Sequence, residues 1–444
     1  MKKIVTIILI ILVLAAGAWL VWRWTGGPND INPPAISDEN GEGGLFFPTG
    51  QVDNGQGNNT NDNLTVGNNS ASSTTGNTSN SANSNFNKIS ERPVVGATLV
   101  ASSSVVYMDK ATGHLYVADI DNLLAPWQIT NTTIPKVNQF LAGQTKEGLA
   151  IIARYLKDDQ VQNFSANLVN AFGSSTAPFQ IQGEEIAELR GAFLGPNIYE
   201  MVSAPKQDRI FYLEKTSRNQ TAGYLAKWDG SGKAPLFSSP LKEWLATWPN
   251  DDLIALQTKT ASAIDGSLYL IDLKTKKNRL VFSGIPGLTA LVSPNGKKTL
   301  YSGNTSQGSV FGVYTLADGF FDRLPITTLA EKCVWSSNNI TIYCGVPQRL
   351  PSTVLPDDWY QGVIAFADNL WKIDTNTKQA EIVYNPSIAR LGQEIDATNL
   401  FLDRDETNLF LVNKRDQQLW TLTLERAFIS PAASNSDETT IPAR

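Results

Sequence analysis

The residue types able to do chemistry are few. The chain of 444 residues contains one histidine, His114. That count removes most metal centres and most imidazole-based acid–base catalysis. His114 stands in Ala111-Thr112-Gly113-His114-Leu115-Tyr116, a turn entering a strand, where a solvated or hydrogen-bonded ring is the ordinary state. No Gly-x-Ser-x-Gly nucleophile turn and no glycine-rich phosphate loop occurs. Carboxylates remain. Asp357 and Asp358, Glu184 and Glu185, and Asp403 and Asp405 are close in sequence. Two facing carboxylates can hydrolyse a glycosidic bond, but neighbours on an extended chain point to opposite sides. The segment Asp403-Arg404-Asp405-Glu406 is too short for an EF-hand loop. No cofactor and no metal is expected.

One long loop concentrates binding-type residues. It runs Val346-Pro347-Gln348-Arg349-Leu350-Pro351 and then Leu355-Pro356-Asp357-Asp358-Trp359-Tyr360-Gln361-Gly362. Its prolines lower the entropy cost of an ordered shape. Trp359 and Tyr360 offer amphipathic contact area, and Asp357, Asp358 and Arg349 offer polar handles. Two readings stand. These residues pack the loop on the body beneath it, or they form a partner-binding site.

The elements that position this loop are β-strands. Between about Lys88 and Ser430, short apolar alternating segments are separated by Gly, Asn, Asp and Pro clusters. One strand recurs as Leu115-Tyr116-Val117-Ala118-Asp119, Leu225-Ala226-Lys227-Trp228-Asp229, Leu268-Tyr269-Leu270-Ile271-Asp272 and Leu370-Trp371-Lys372-Ile373-Asp374. Looser copies begin at Phe164, Val313 and Leu419. In chain order the seven starts are separated by 49, 61, 43, 45, 57 and 49 residues. Such periods, with several strands in each, mark propeller blades. The fold expected is all-β, a seven-bladed propeller, with six or eight blades one irregular copy away. The first strand should lie near Val94–Val100. The last copy lacks a strong fourth strand, so Phe86–Arg92 or a nearby segment should supply it and close the ring, removing two free sheet edges.

A turn precedes each copy of that strand. Leu291-Val292-Ser293-Pro294-Asn295-Gly296-Lys297-Lys298 is its clearest form, and Thr247-Trp248-Pro249-Asn250-Asp251-Asp252 is close. Pro fixes φ while Asn and Gly accept left-handed geometry. This turn, chiefly Ser293 to Lys298, resembles the WD-repeat-like propellers of the TolB-like and prolyl-oligopeptidase-propeller type over roughly residues 94–424. The resemblance implies an extracytoplasmic scaffold for partner proteins. TolB-like propellers usually have six blades, so a count of seven departs from them.

The two cysteines flank a hairpin. With the turn centred on Asn338-Asn339, Ser337 faces Ile340, Trp335 faces Ile342 and Cys333 faces Cys344. Opposed residues have Cβ atoms about 4.5–5.5 Å apart, near disulfide reach. A cross-strand disulfide is expected; two buried free thiols are the alternative.

The N-terminus supplies an address. Ile4 to Trp22 is nineteen residues without a charge, preceded by Lys2 and Lys3 and followed by Arg23. As a helix this run is ~28 Å long, close to the hydrocarbon thickness. Residues 1–24 are therefore read as a signal anchor that spans the plasma membrane once through residues 4–22, with the N-terminus cytoplasmic and the rest extracytoplasmic. A signal peptide cleaved at Ala16-Gly17-Ala18 is the rival reading. From Thr25 to Ser90, 40 of 66 residues are Asn, Ser, Gly or Thr. A disordered linker is expected at 25–87, the propeller at 88–430 and a polar, disordered tail at 431–444. The net charge of -6 gives no means of neutralising phosphates, so nucleic acid is not expected as a partner. The first functional expectation is a scaffold for an envelope protein. The alternatives are a carbohydrate- or wall-directed protein or hydrolase, with a glycan as ligand, and a purely structural surface protein.

Overall fold

The computed structural model describes residues 85–424 except 101–103, 147, 170–185, 352 and 390–391. The expected membrane span at 4–22, nearly all of the linker, Glu184, Glu185 and the tail lie outside the described residues. Among the described residues, no helix is long and apolar enough to cross a membrane.

The strands form seven four-stranded antiparallel sheets, each a blade. Within blades one to six the four strands run in sequence order from the axis outward. The recurring segment is the third strand in every blade, as in Leu115–Asp119, Asp265–Asp272 and Asp368–Asp374. The first strand is Val94–Val100, as expected. The seventh blade takes Ala397–Leu402, Asn408–Asn413 and Leu419–Thr423 from the chain's end, and its outer strand is Phe86–Lys88. Lys88 pairs with Trp420 and Phe86 with Leu422. The Phe86 ring is buried and stacks between Tyr384 and Trp420, with centroids 4.3 and 5.0 Å away.

The core consists of seams between neighbouring blades. Second strands have neighbours on both faces and are buried along their length, as Ser104–Asp109 and Asn408–Asn413 show. Outer strands face water, as Phe320–Arg323 does. The seam between blades seven and one contains Val105, Tyr107, Phe410 and Leu419, so the ring is closed.

The turns behave as their residues dictate. In Ser293–Lys298 the Gly296 amide donates to the Ser293 carbonyl at 2.8 Å, and Gly296 has φ of 69°. A Cβ there would stand 2.3 Å from Leu253 Cδ1, so the conformation requires glycine and a larger residue would also displace Leu253. The turns of adjacent blades are tied together: Asn250 Nδ2 donates to the Pro294 carbonyl at 2.8 Å, and the Asn295 amide to Asn339 Oδ1 at 2.7 Å. The hairpin register is the expected one. Cys333 opposes Cys344, Trp335 opposes Ile342, and the two cysteines are disulfide-bonded. The alternative of two free thiols is thereby corrected.

Candidate functional site

A propeller has two faces. Loops joining second to third strands, and each fourth strand to the next blade, share one of them. The blade-six loop leaves the second strand at Pro347 and rejoins the third at Asp368. It therefore lies on that face. It forms one helical turn, Asp357–Tyr360, and its own small core of Leu329, Leu355, Trp359 and Phe366.

Of the two readings of Trp359, its position fits the one in which it packs the loop on the body beneath it. Trp359 is 5% exposed. Its indole N–H donates to Asp396, 2.9 Å from Oδ2, and its ring lies parallel to Phe366 with centroids 6.0 Å apart. An indole buried with its N–H satisfied holds a loop down rather than meeting a partner. Asp357 is also engaged. Its carboxylate accepts from the Ser262 amide at 3.0 Å and the Ser262 hydroxyl at 2.7 Å, tying the loop to blade four. Asp358 accepts from the Val354 amide at 2.9 Å. The Tyr360 hydroxyl donates to Glu331 Oε1 at 2.5 Å. Arg349 is exposed. Blade five contributes Asn304, whose Nδ2 donates to the Leu355 carbonyl at 2.6 Å and the Ser262 carbonyl at 3.1 Å. The loop is a strap fixed across three blades' worth of neighbouring turns.

Beneath it lies a cluster that the sequence did not announce. Lys332, Asp368 and Asp396 are all 0% exposed. Lys332 Nζ is 2.8 Å from Asp368 Oδ2, 2.5 Å from Asp396 Oδ1 and 3.0 Å from the Ala397 carbonyl. Trp359 and Phe366 cover the ammonium, with ring centroids at 5.0 and 5.1 Å. The Phe366 amide donates to Asp396 Oδ2 at 3.0 Å, and the Ala397 amide to Asp368 Oδ2 at 2.8 Å. Asp368 Oδ1 is buried and has no partner. Gly345 makes the room, since a Cβ there would stand 2.9 Å from Asp368 Oδ2. Burial pushes the Asp368 carboxyl up to about 6, with Lys332 pulling the other way. Burial alone would lower Lys332; the two carboxylates outweigh it and hold the ammonium up. At the edge, Lys414 donates to the Trp359 carbonyl and lies over its ring. Desolvation lowers Lys414 to about 8. A cavity of about 10 Å³ lies between Phe366, Pro347, Thr328 and Leu355, room for about one water molecule.

A second buried cation lies across the ring. Arg154, 6% exposed, donates to Asn163 Oδ1 at 2.9 Å, to the Ile198 carbonyl at 2.9 Å and to Gln139. Nearby Glu200 is partly buried and accepts from the Ala246 amide at 3.3 Å. Desolvation pushes its carboxyl up to about 7.

His114 and Asp403 are each held by hydrogen bonds. His114 sits between Gln128 Nε2 at 3.1 Å and the Thr133 hydroxyl at 3.3 Å. Asp403 accepts from the Thr407 and Asn408 amides at 2.7 and 2.9 Å, closing a turn. Among the described residues no group of three or more His, Cys, Asp and Glu could hold a metal ion.

No family model and no curated protein matches the chain. Solved structures do. An oligogalacturonate lyase from Vibrio parahaemolyticus aligns with a TM-score of 0.53 at 9% identity, over 77% of this chain and 94% of that one. The likeness is one of fold. The β-propeller domain of the Trilobed protease from Pyrococcus furiosus aligns at 0.45 and 10% identity, over 77% and 98%. TolB from Acinetobacter baumannii aligns at 0.36 and 11%, over 74% and 79%. The chain spans 34% of the tricorn protease and 50% of a puromycin hydrolase that it also matches. With identities this low, the likeness shows a β-propeller and nothing about substrate.

Proposed function

We propose that this chain is a membrane-anchored, extracytoplasmic propeller whose blade-six strap presents a docking surface to a protein of the cell envelope. The anchor reading rests on the uncharged run at 4–22 and its flanking lysines. The observation that carries the docking reading is the strap's outer surface. Leu350, Val354 and Val363 are 43%, 54% and 68% exposed on a loop whose underside is pinned. Apolar side chains on a fixed loop meet a partner with little further ordering cost. Ile264, 64% exposed in the blade-four loop that Asp357 holds, adds to the same face.

Photo-crosslinking in the full-length, membrane-localised protein tests this. A photoreactive residue at Leu350 or Val363 should capture the same protein. One at Asp318, in a turn on the opposite face, should not. Equal capture from both faces, or none from the strap, sinks the proposal. A glycan-directed hydrolase would need two water-accessible carboxylates flanking the bond; the acidic pair that shares Lys332 is sealed from water, so no observation favours that reading.

A further inference from the structure

The cluster under the strap holds the parts of a condensation reaction. We propose that Lys332 and Asp368 join in an intramolecular amide, formed after folding, with Asp396 as the proton acceptor. Lys332 Nζ lies 2.8 Å from the Asp368 carboxyl and 2.5 Å from Asp396. All three side chains are fully buried, under two aromatic rings. An ammonium held out of water between two carboxyls can pass a proton to either, and the amine so freed stands beside a carboxyl at high effective concentration.

The two carboxyls are not equivalent, and their hydrogen bonds assign the roles. Asp396 is surrounded by donors: Lys332, the Trp359 indole and the Phe366 amide. Asp368 has one oxygen held by the Ala397 amide at 2.8 Å, while Oδ1 has no partner at all. The held oxygen is the one that gains negative charge when the carbon is attacked, and an amide N–H already points at it. The orphan is the oxygen that leaves. A buried oxygen without a partner is costly, and condensation removes that oxygen from the protein.

The steps balance. One proton passes from the ammonium to Asp368, giving the free amine and the neutral acid. Nζ attacks the Asp368 carboxyl carbon, and the nitrogen–carbon bond forms. Asp396 takes a proton from the nitrogen and delivers it to the departing Oδ1 hydroxyl. The carbon–oxygen bond breaks and water leaves. No oxidant or further reactant is needed. Burial already raises the Asp368 acid to about 6, and a reaction occurring once per molecule needs only a minor population of the neutral pair. A one-water cavity is lined by Phe366, which covers the ammonium, and by Pro347, which pairs with Asp368 in the sheet. The bond would staple the turn that enters blade six's first strand to its third strand, beside the disulfide that joins its first to its second.

The test is mass spectrometry of the purified full-length protein after reduction and proteolysis. The expected result is one branched peptide joining Lys332 to Asp368, lighter than its two components by one water. Asp396→Asn, with folding checked by circular dichroism and the intact disulfide, should abolish it and return the missing mass. A second readout needs no variant. Nicking the native protein after exposed Arg349 leaves Lys332 and both cysteines on one side and Asp368 on the other. After reduction and denaturation the two fragments should stay joined. Recovery of separate fragments, of unmodified Lys332 and Asp368 peptides, or of a branch at Asp396 overturns the proposal.

Discussion

Two buried basic side chains stabilise opposite arcs of this ring by different means. Arg154 is met by neutral oxygens from Asn163, Gln139 and the Ile198 backbone, each at a geometry its planar fork can use. Lys332 is met by two carboxylates and one carbonyl. In the first case the direct partners are neutral dipoles with Glu200 the one carboxyl in range, and loss of the cation leaves polar groups and a carboxyl whose neutral form burial already favours. In the second, loss of the cation leaves negative charge in a dry site. The lesson is that equal burial does not mean equal dependence; what the cation leaves behind sets the cost.

The largest effect should follow Lys332→Met. Leaving Asp368 and Asp396 unpaired should cost about 3–5 kcal/mol, read as a fall in the urea midpoint. Arg154→Met should cost less, about 2–3 kcal/mol, as Asn163 and Gln139 lose a donor. The reverse order in the same assay would break the comparison. A third test uses acid. Glu200 stands at about 7 in the fold against an ordinary 4.5, so the fold binds its proton more tightly than the unfolded chain does. Its stabilising share is complete below the unfolded value and is lost as pH rises through 7. Wild-type stability should therefore fall between pH 5 and 8, and Glu200→Gln should flatten that fall by about 1–2 kcal/mol, allowing for its partial contact with water. Asp368 would add a fall of the same sign if it were a free acid, and none if it is an amide. A pH profile that Glu200→Gln flattens completely thus sharpens the contrast between the two arcs. The smallest effect belongs to the rim. Tyr360→Phe removes one hydrogen bond to exposed Glu331 and should lower the thermal midpoint by the equivalent of about 0.5–1 kcal/mol.

The blades were legible because they repeat. A third strand recurring seven times, and a Ser-Pro-Asn-Gly turn with its looser copies, announce local geometry that each segment must adopt. The Cys333–Cys344 pairing was legible for the same reason, since a hairpin turn fixes its own register. The Lys332 cluster was not. Lys332 ends the turn before blade six's first strand, Asp368 begins its third strand and Asp396 stands just before blade seven, and no period links the three. Trp359 was ambiguous for a related reason. In sequence it is an aromatic residue in an irregular loop; its burial follows from Asp396, 37 residues away, which offers its indole a partner. A clue existed in Lys332-Cys333, a lysine abutting an inner strand, where a charge must find an opposite one.

The outer strand of blade seven ties the fold to everything that precedes it. Phe86–Lys88 is both the last piece of the ring and the point where residues 1–84 enter it. Within the described residues, a pull from the N-terminal side meets the ring at its closing strand. It is delivered along three residues to the ring's seam, where the Phe86 ring, wedged between Tyr384 and Trp420, acts as the catch. Tension at that point would loosen blade seven first and leave the strap and its pinned cluster on blade six to hold the adjoining edge. The strand that closes the ring is thus the one at which any load on the preceding residues enters it.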